Sequence, residues 1–162
     1  MQSQLFKTLW GHSGTYATAA DLVLVSGFQG LEGPIPIDPE IRREFLAALR
    51  SRGLLYIAEI STTGFAVPDL AATVAQHLSV FERILENSLE ADPLFFTSLA
   101  GSDLWDFGES VAFLTQAWEI AQSYQVRVGF ETHRSRSLFH PIVTEKLLAE
   151  LPPIELTLDF SH

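Results

Sequence analysis

Apolar residues in this chain gather in short runs that alternate with longer segments of helical spacing. The runs are "LFKTLWG" (5–11), "GFQGLEG" (27–33), "LLYIAEIS" (54–61), "LFFTSLAG" (94–101), "VRVGFETH" (126–133) and "IELTLDFSH" (154–162). Their length and their bounding turn residues predict strands. Between them, "DPEIRREFLAALRSRG" opens on Asp38 and Pro39, an N-cap followed by proline at the first helical position, and closes on Gly53. "DLAATVAQHLSVFERILENSL" from Asp69 predicts the longest helix and "GESVAFLTQAWEIAQSY" from Gly108 the next, while the short "PIVTEKLLAEL" separates the fifth and sixth runs. A repeated strand, helix, strand order demands parallel strands, because the crossover helix returns each strand in the same direction. The pattern is that of an α/β chain of about six parallel βα units.

Such units close into a barrel or form an open doubly wound sheet, and side-chain alternation bears on the choice. In the sixth run Ile154, Leu156, Leu158 and Phe160 share one face, and Glu155, Thr157, Asp159 and Ser161 the other. In the fifth, Val126, Val128 and Phe130 oppose Arg127, Gly129, Glu131 and His133. Central strands of a doubly wound sheet carry apolar residues on both faces, whereas one polar or small face suits a barrel interior near its mouth. The alternation favours a partial (β/α)8 TIM barrel over the open sheet.

Composition narrows the setting. The chain has 162 residues, 47% of them hydrophobic, enough for one globular domain with a sizeable core. Twenty acids against ten Lys and Arg give a formal charge of -10, which repels phosphate backbones and anionic membrane surfaces; no nucleic-acid or membrane partner is expected. The small basic cluster of Arg127, Arg134 and Arg136 is the exception. The absence of cysteine removes disulfides and thiolate sites and leaves histidine and carboxylates as the metal-ligating types. No apolar run approaches the roughly 20 residues of a membrane span and no signal peptide is visible, so the expected location is cytoplasmic.

The acids fall where a barrel places its chemistry. Glu131 and Asp159 have the inward parity of their strands and lie at the C-terminal ends, the face that carries the active site in characterised barrels. Glu59 in "YIAEIS" and Glu32 in "GLEG" occupy similar positions on the third and second strands. Crowded carboxylates require either a raised pKa or a cation between them. On residues alone, Glu131 and Asp159 are either a metal pair or solvated strand ends. His77 falls within a helix, His140 precedes a proline at a helix start, and His12 follows the first strand, so each has a structural reading.

"FETHRSRSL" and "LTLDFSH", with "KTLWG" at the start and "GFQGLEGPI" on the second strand, resemble the sugar phosphate isomerase/epimerase family with the xylose-isomerase-like barrel. The likeness runs in order along the whole chain, and its most specific part is the glutamate strand followed by Asp-x-x-His. It implies that Glu131, Asp159 and His162 bind a divalent metal (Mn, Mg, Co or Zn), and that Glu131 is also the catalytic residue, moving a proton by way of an enediolate. It implies a sugar or sugar phosphate as substrate. His133 and Arg134 match the "ETHR" pattern and belong at the rim in contact with substrate, with Glu59 and Trp10 as further substrate contacts at the same mouth.

Relatives of this kind continue through a seventh and an eighth strand, which supply further ligands and a second carboxylate. At the observed repeat of roughly 30 residues, two more units bring a chain to the 200 or more residues usual for the barrel. Residues 1–162 are thus expected to form a single, C-terminally incomplete barrel domain, inactive alone and prone to associate as a homo-oligomer through exposed strand edges. Two alternatives stand beside the isomerase reading. One is a non-catalytic remnant or binding module of the same fold. The other is a metal-dependent phosphodiesterase like the abasic-site endonucleases, which the charge of -10 opposes.

Overall fold

The computed structural model of the chain describes residues 3–161. It contains β1 (Phe6–Thr8), α1 (Tyr16–Ser26), β2 (Gly30–Pro34), α2 (Pro39–Arg52), β3 (Leu55–Ser61), α3 (Val74–Ser88), β4 (Phe95–Leu99), α4 (Phe107–Ser123), β5 (Val128–Glu131), α5 (Pro141–Glu150) and β6 (Glu155–Thr157), with one 3-10 turn at Leu89–Ala91. The sheet order is sequential, β1 to β6, and the pairings β1–β2, β2–β3, β4–β5 and β5–β6 are all parallel. The six parallel strands expected from the alternating pattern are present. Among the described residues no helix is long and apolar enough to cross a membrane.

Local chemistry explains where the helices begin. Asp38 caps α2 by accepting from the amides of Glu40 and Ile41, with Pro39 in the first turn and Gly53 closing the helix at φ 59°. His140 caps α5 by accepting from Ile142, ahead of Pro141, so it has the structural role its place before a proline suggested. Two helices start elsewhere than the apolar spacing indicated. Helix α3 begins at Val74 and not near Asp69, because Thr73 and Gln76 cap it reciprocally: the Gln76 amide donates to Thr73 Oγ1 and the Thr73 amide to Gln76 Oε1. Asp69 instead closes a preceding turn through Ala71 and Ala72. Helix α4 starts at Phe107 because Asp106 and Glu109 form a capping box.

The chain divides into two compact units, the residues up to Glu59 with Asn87–Leu94, and Ile60–Glu86 with the residues from Phe95 on. In the first unit Phe45 lies edge-on to both Tyr16 and Tyr56 at 5.0 Å, and the Tyr56 hydroxyl donates to the Gly33 carbonyl at 2.7 Å. Burial, with the nearby Glu59 charge second, pushes the Tyr56 hydroxyl far above the usual phenol range. In the second unit Phe81 stacks on Phe130 at 6.3 Å, and Val128, Phe113, Leu114 and Ala117 complete an apolar layer.

The other face of β5 and β6 is polar. Register pairs Gly129 with Glu155 and Glu131 with Thr157, as strand parity requires. Gly129 is needed there: a Cβ would stand 2.5 Å from Thr157 Oγ1. Arg127 and Glu155 close the start of this face with two hydrogen bonds of 3.1 and 2.7 Å. The basic cluster read from sequence is therefore no patch, since Arg127 is engaged by Glu155 and Arg136 is wholly buried.

Candidate active site

In the second unit Glu131 is the last residue of β5 and lies opposite Thr157, the last residue of β6, and Asp159 stands two residues past that strand end. Both acids are half-buried. Thr97 on β4 lies opposite Gly129, and its hydroxyl donates to Glu131 Oε2 at 3.3 Å. Asp159 is held from two sides. Its amide donates to Thr132 Oγ1 at 3.2 Å, and its Oδ1 accepts the Ser161 amide at 2.7 Å. His162 lies outside the described residues.

His133 leaves the strand end and turns into the protein, with 7% of its surface exposed. Its Nδ1 is 2.5 Å from the carbonyl of Arg134. A carbonyl only accepts, so Nδ1 carries a proton and donates it. Arg134 itself is exposed. His133, Thr132 and Asp159 share a cavity of about 470 Å³ whose other walls include Leu138, Leu156, Leu158 and Leu148. The structure thus brings Asp159 and His133 to one cavity, while Glu131 is fixed by its neighbour on β4.

The first unit holds the remaining candidates. Glu59 on β3 is opposite Pro34, and Glu32 on β2 is opposite Ile57 and Thr8, so the two acids share a sheet face. Glu59 is 3% exposed, and the indole N–H of Trp10 donates to its Oε2 at 2.5 Å. Trp10 is 38% exposed, so one end of the ring faces solvent while the other meets a carboxylate.

Two further polar groups of the second unit, Arg136 and His77, are buried. Arg136 is fully buried and donates to the carbonyls of Gly101, Thr63 and Phe65. His77 is equally buried, its Nδ1 2.7 Å from Thr62 Oγ1 and its Nε2 2.9 Å from Thr63 Oγ1. Its ring lies edge-on to Trp105 at 4.6 Å. Burial, and next the Arg136 charge, lower the His77 pKa to about 4, so the ring is neutral. His77 is a structural histidine, as its position within a helix suggested.

Carboxylates are the donor type that an oxygen-preferring divalent cation takes. Among the described residues no cluster of three or more histidine, aspartate or glutamate side chains is placed to hold a metal.

No family profile and no curated protein matches the sequence. Solved structures do match. A probable 3-DHS dehydratase, AsbF, involved in petrobactin synthesis from Bacillus anthracis superposes with a TM-score of 0.73 at 15% identity, over 98% of this chain and 63% of that one. The 3-keto-D-glucoside 4-epimerase YcjR from E. coli gives 0.70 at 15% identity, over 98% and 69%. The D-allulose 3-epimerase from Methylomonas sp. gives 0.70 at 15% identity, over 95% and 61%. A sugar phosphate isomerase/epimerase from Parabacteroides distasonis gives 0.68 at 11% identity, over 98% and 68%. The chain spans 61–69% of the length of these proteins. Through its six strands and five helices, the chain has the fold of the xylose-isomerase-like sugar isomerase/epimerase TIM barrels.

Proposed function

We propose that this chain carries the metal-binding and proton-transfer half of a sugar isomerase or epimerase site, with Glu131 as the catalytic carboxylate and Glu131 and Asp159 as ligands of a divalent cation. The observation that carries the reading is the β5–β6 register. It sets Glu131 opposite Thr157, two residues before Asp159, at the C-terminal ends of adjacent parallel strands, where barrels of this fold place their chemistry. His162, from the Asp-x-x-His pattern, is proposed as a third ligand.

A bound divalent cation would polarise a sugar carbonyl and lower the barrier to removing the proton beside it. The residues of the chain then have separate tasks. Thr97 orients Glu131 through Oε2, leaving the carboxylate to take or return a proton at the carbon next to the carbonyl. Thr132 and the Ser161 amide hold Asp159 in place. His133 hydrogen-bonds a sugar hydroxyl, and exposed Arg134 meets the anionic end of a phosphorylated sugar.

A dehydratase and several epimerases share this fold, so fold alone does not choose the reaction. Removal of a proton beside a carbonyl is the step tested here. With Mn2+ present, D-allulose and D-fructose in D2O should incorporate deuterium at the carbon adjoining the carbonyl when incubated with the protein, as read by proton NMR. Glu131→Gln should abolish it. Incorporation at the same rate in Glu131→Gln, or none above a metal-only control in the wild type, contradicts the reading.

A further inference from the structure

Arg136 is the one arginine of the "ETHRSRSL" segment with no exposed surface. Guanidinium stays charged at any accessible pH, and moving it out of water costs several kcal/mol unless its donors are met. Here Nη1 and Nη2 meet main chain. Nη2 donates to the carbonyls of Thr63, at 3.1 Å, and Phe65, and Nη1 to that of Gly101 at 3.4 Å. The first two belong to the loop after β3, and the third to the loop after β4.

The main chain around Arg136 draws in a third loop, the one after β5. The Arg136 amide donates to the His133 carbonyl at 3.2 Å, closing a tight turn. Ser135 within it has φ 64°, a left-handed conformation that a non-glycine residue adopts only when its surroundings impose it. The Ser137 amide donates to Ala100 at 3.0 Å and the Asp103 amide to Ser135 at 3.4 Å. Gly101 has φ 72°, and a side chain there would run into Ser137. From below, neutral His77 fixes the hydroxyls of Thr62 and Thr63.

We infer that Arg136 is a positioning residue: its guanidinium clamps the loops after β3 and β4 to the turn 133–136, and so holds the His133 ring against the Arg134 carbonyl. A lysine cannot replace it, since a single ammonium has no planar fork with which to reach carbonyls on two different loops. Arg136 meets His133 through its own main chain, the amide donating to the His133 carbonyl. Its effect on chemistry passes through His133, and this part of the inference rests on reading the second-unit mouth as the substrate site.

The test needs neither metal nor sugar, so its outcome is independent of that reading. Wild type, Arg136→Lys and Arg136→Met are compared by hydrogen–deuterium exchange and by imidazole 15N shifts, which report which ring nitrogen carries the proton. In both variants, exchange over residues 62–66, 100–103 and 132–137 should rise about tenfold or more while β4 and β5 keep their protection. The His133 signature should move from the Nδ1–H tautomer toward a mixture. The inference is overturned by unchanged exchange in these loops, by an equal rise in strands and loops, or by an unaltered His133 signature. Should Arg136→Met not fold, Arg136→Lys decides alone, and failure of Arg136→Lys to fold would mean a general packing role and also overturn it.

Discussion

The indole N–H of Trp10 donates to Oε2 of Glu59 at 2.5 Å, joining the loop after β1 to the inner position of β3 across 49 residues of chain. Glu59 is 3% exposed, so its ionised form depends on donors of this kind. Trp10→Phe keeps the aromatic bulk and removes the donor. It should cost about 1.5–3 kcal/mol of unfolding free energy in urea, as expected for a hydrogen bond to a charged group. A cycle with Glu59→Gln should give a coupling energy of at least about 1 kcal/mol. Additive effects of the two substitutions would show that the bond contributes nothing.

Thr97 supports Glu131 in the same manner from β4. Partners that orient a ligand carboxylate typically change metal affinity by about 10- to 100-fold. Thr97→Val, of equal size without the donor, should weaken Mn2+ binding by about tenfold, and Thr97→Ser should restore most of it. Equal affinity in Thr97→Val and wild type would remove Thr97 from the site.

Buried His77 makes stability depend on pH. Its folded pKa of about 4 lies below the ordinary value of 6.5, so the unfolded chain binds more protons between those limits. The contribution is fully present above about pH 6.5 and is lost as pH falls toward 4, amounting to about 3 kcal/mol. Urea unfolding from pH 7.5 to 4.5 should show this decline, and His77→Gln should flatten it. An equally steep decline in the variant would assign the pH dependence to other groups.

Much of this architecture was legible because it is written locally. Alternation over four to nine residues fixes strand faces, and Asp38-Pro39 with Gly53 fixes both ends of α2. The place of Glu131 at the end of β5, opposite Thr157, needs only the period and pairing of strands, and the observed register has it there, whereas Asp159 lies beyond the end of β6. What was missed depends on distance or on competing local signals. Asp69 opens the expected helix, yet the Thr73–Gln76 pair beginning four residues on forms the reciprocal bonds, and Asp69 is left to a turn. Arg134 and Arg136 are indistinguishable as letters. Only carbonyls from Thr63, Phe65 and Gly101, brought in by the sheet, make one of them a buried clamp. Thr97 and Trp10 became visible as partners of the acids only once β4 and β3 were in place.

The most direct measurement is calorimetric titration of Mn2+ into the wild-type chain, Glu131→Ala, Asp159→Ala and the double variant, with folding checked by circular dichroism. The account predicts one saturable site in the wild type, weakened by about tenfold or more in each single variant and lost in the double. Binding that is identical in the wild type and the double variant, or a wild type with no saturable site, would contradict the assignment of Glu131 and Asp159 as metal ligands.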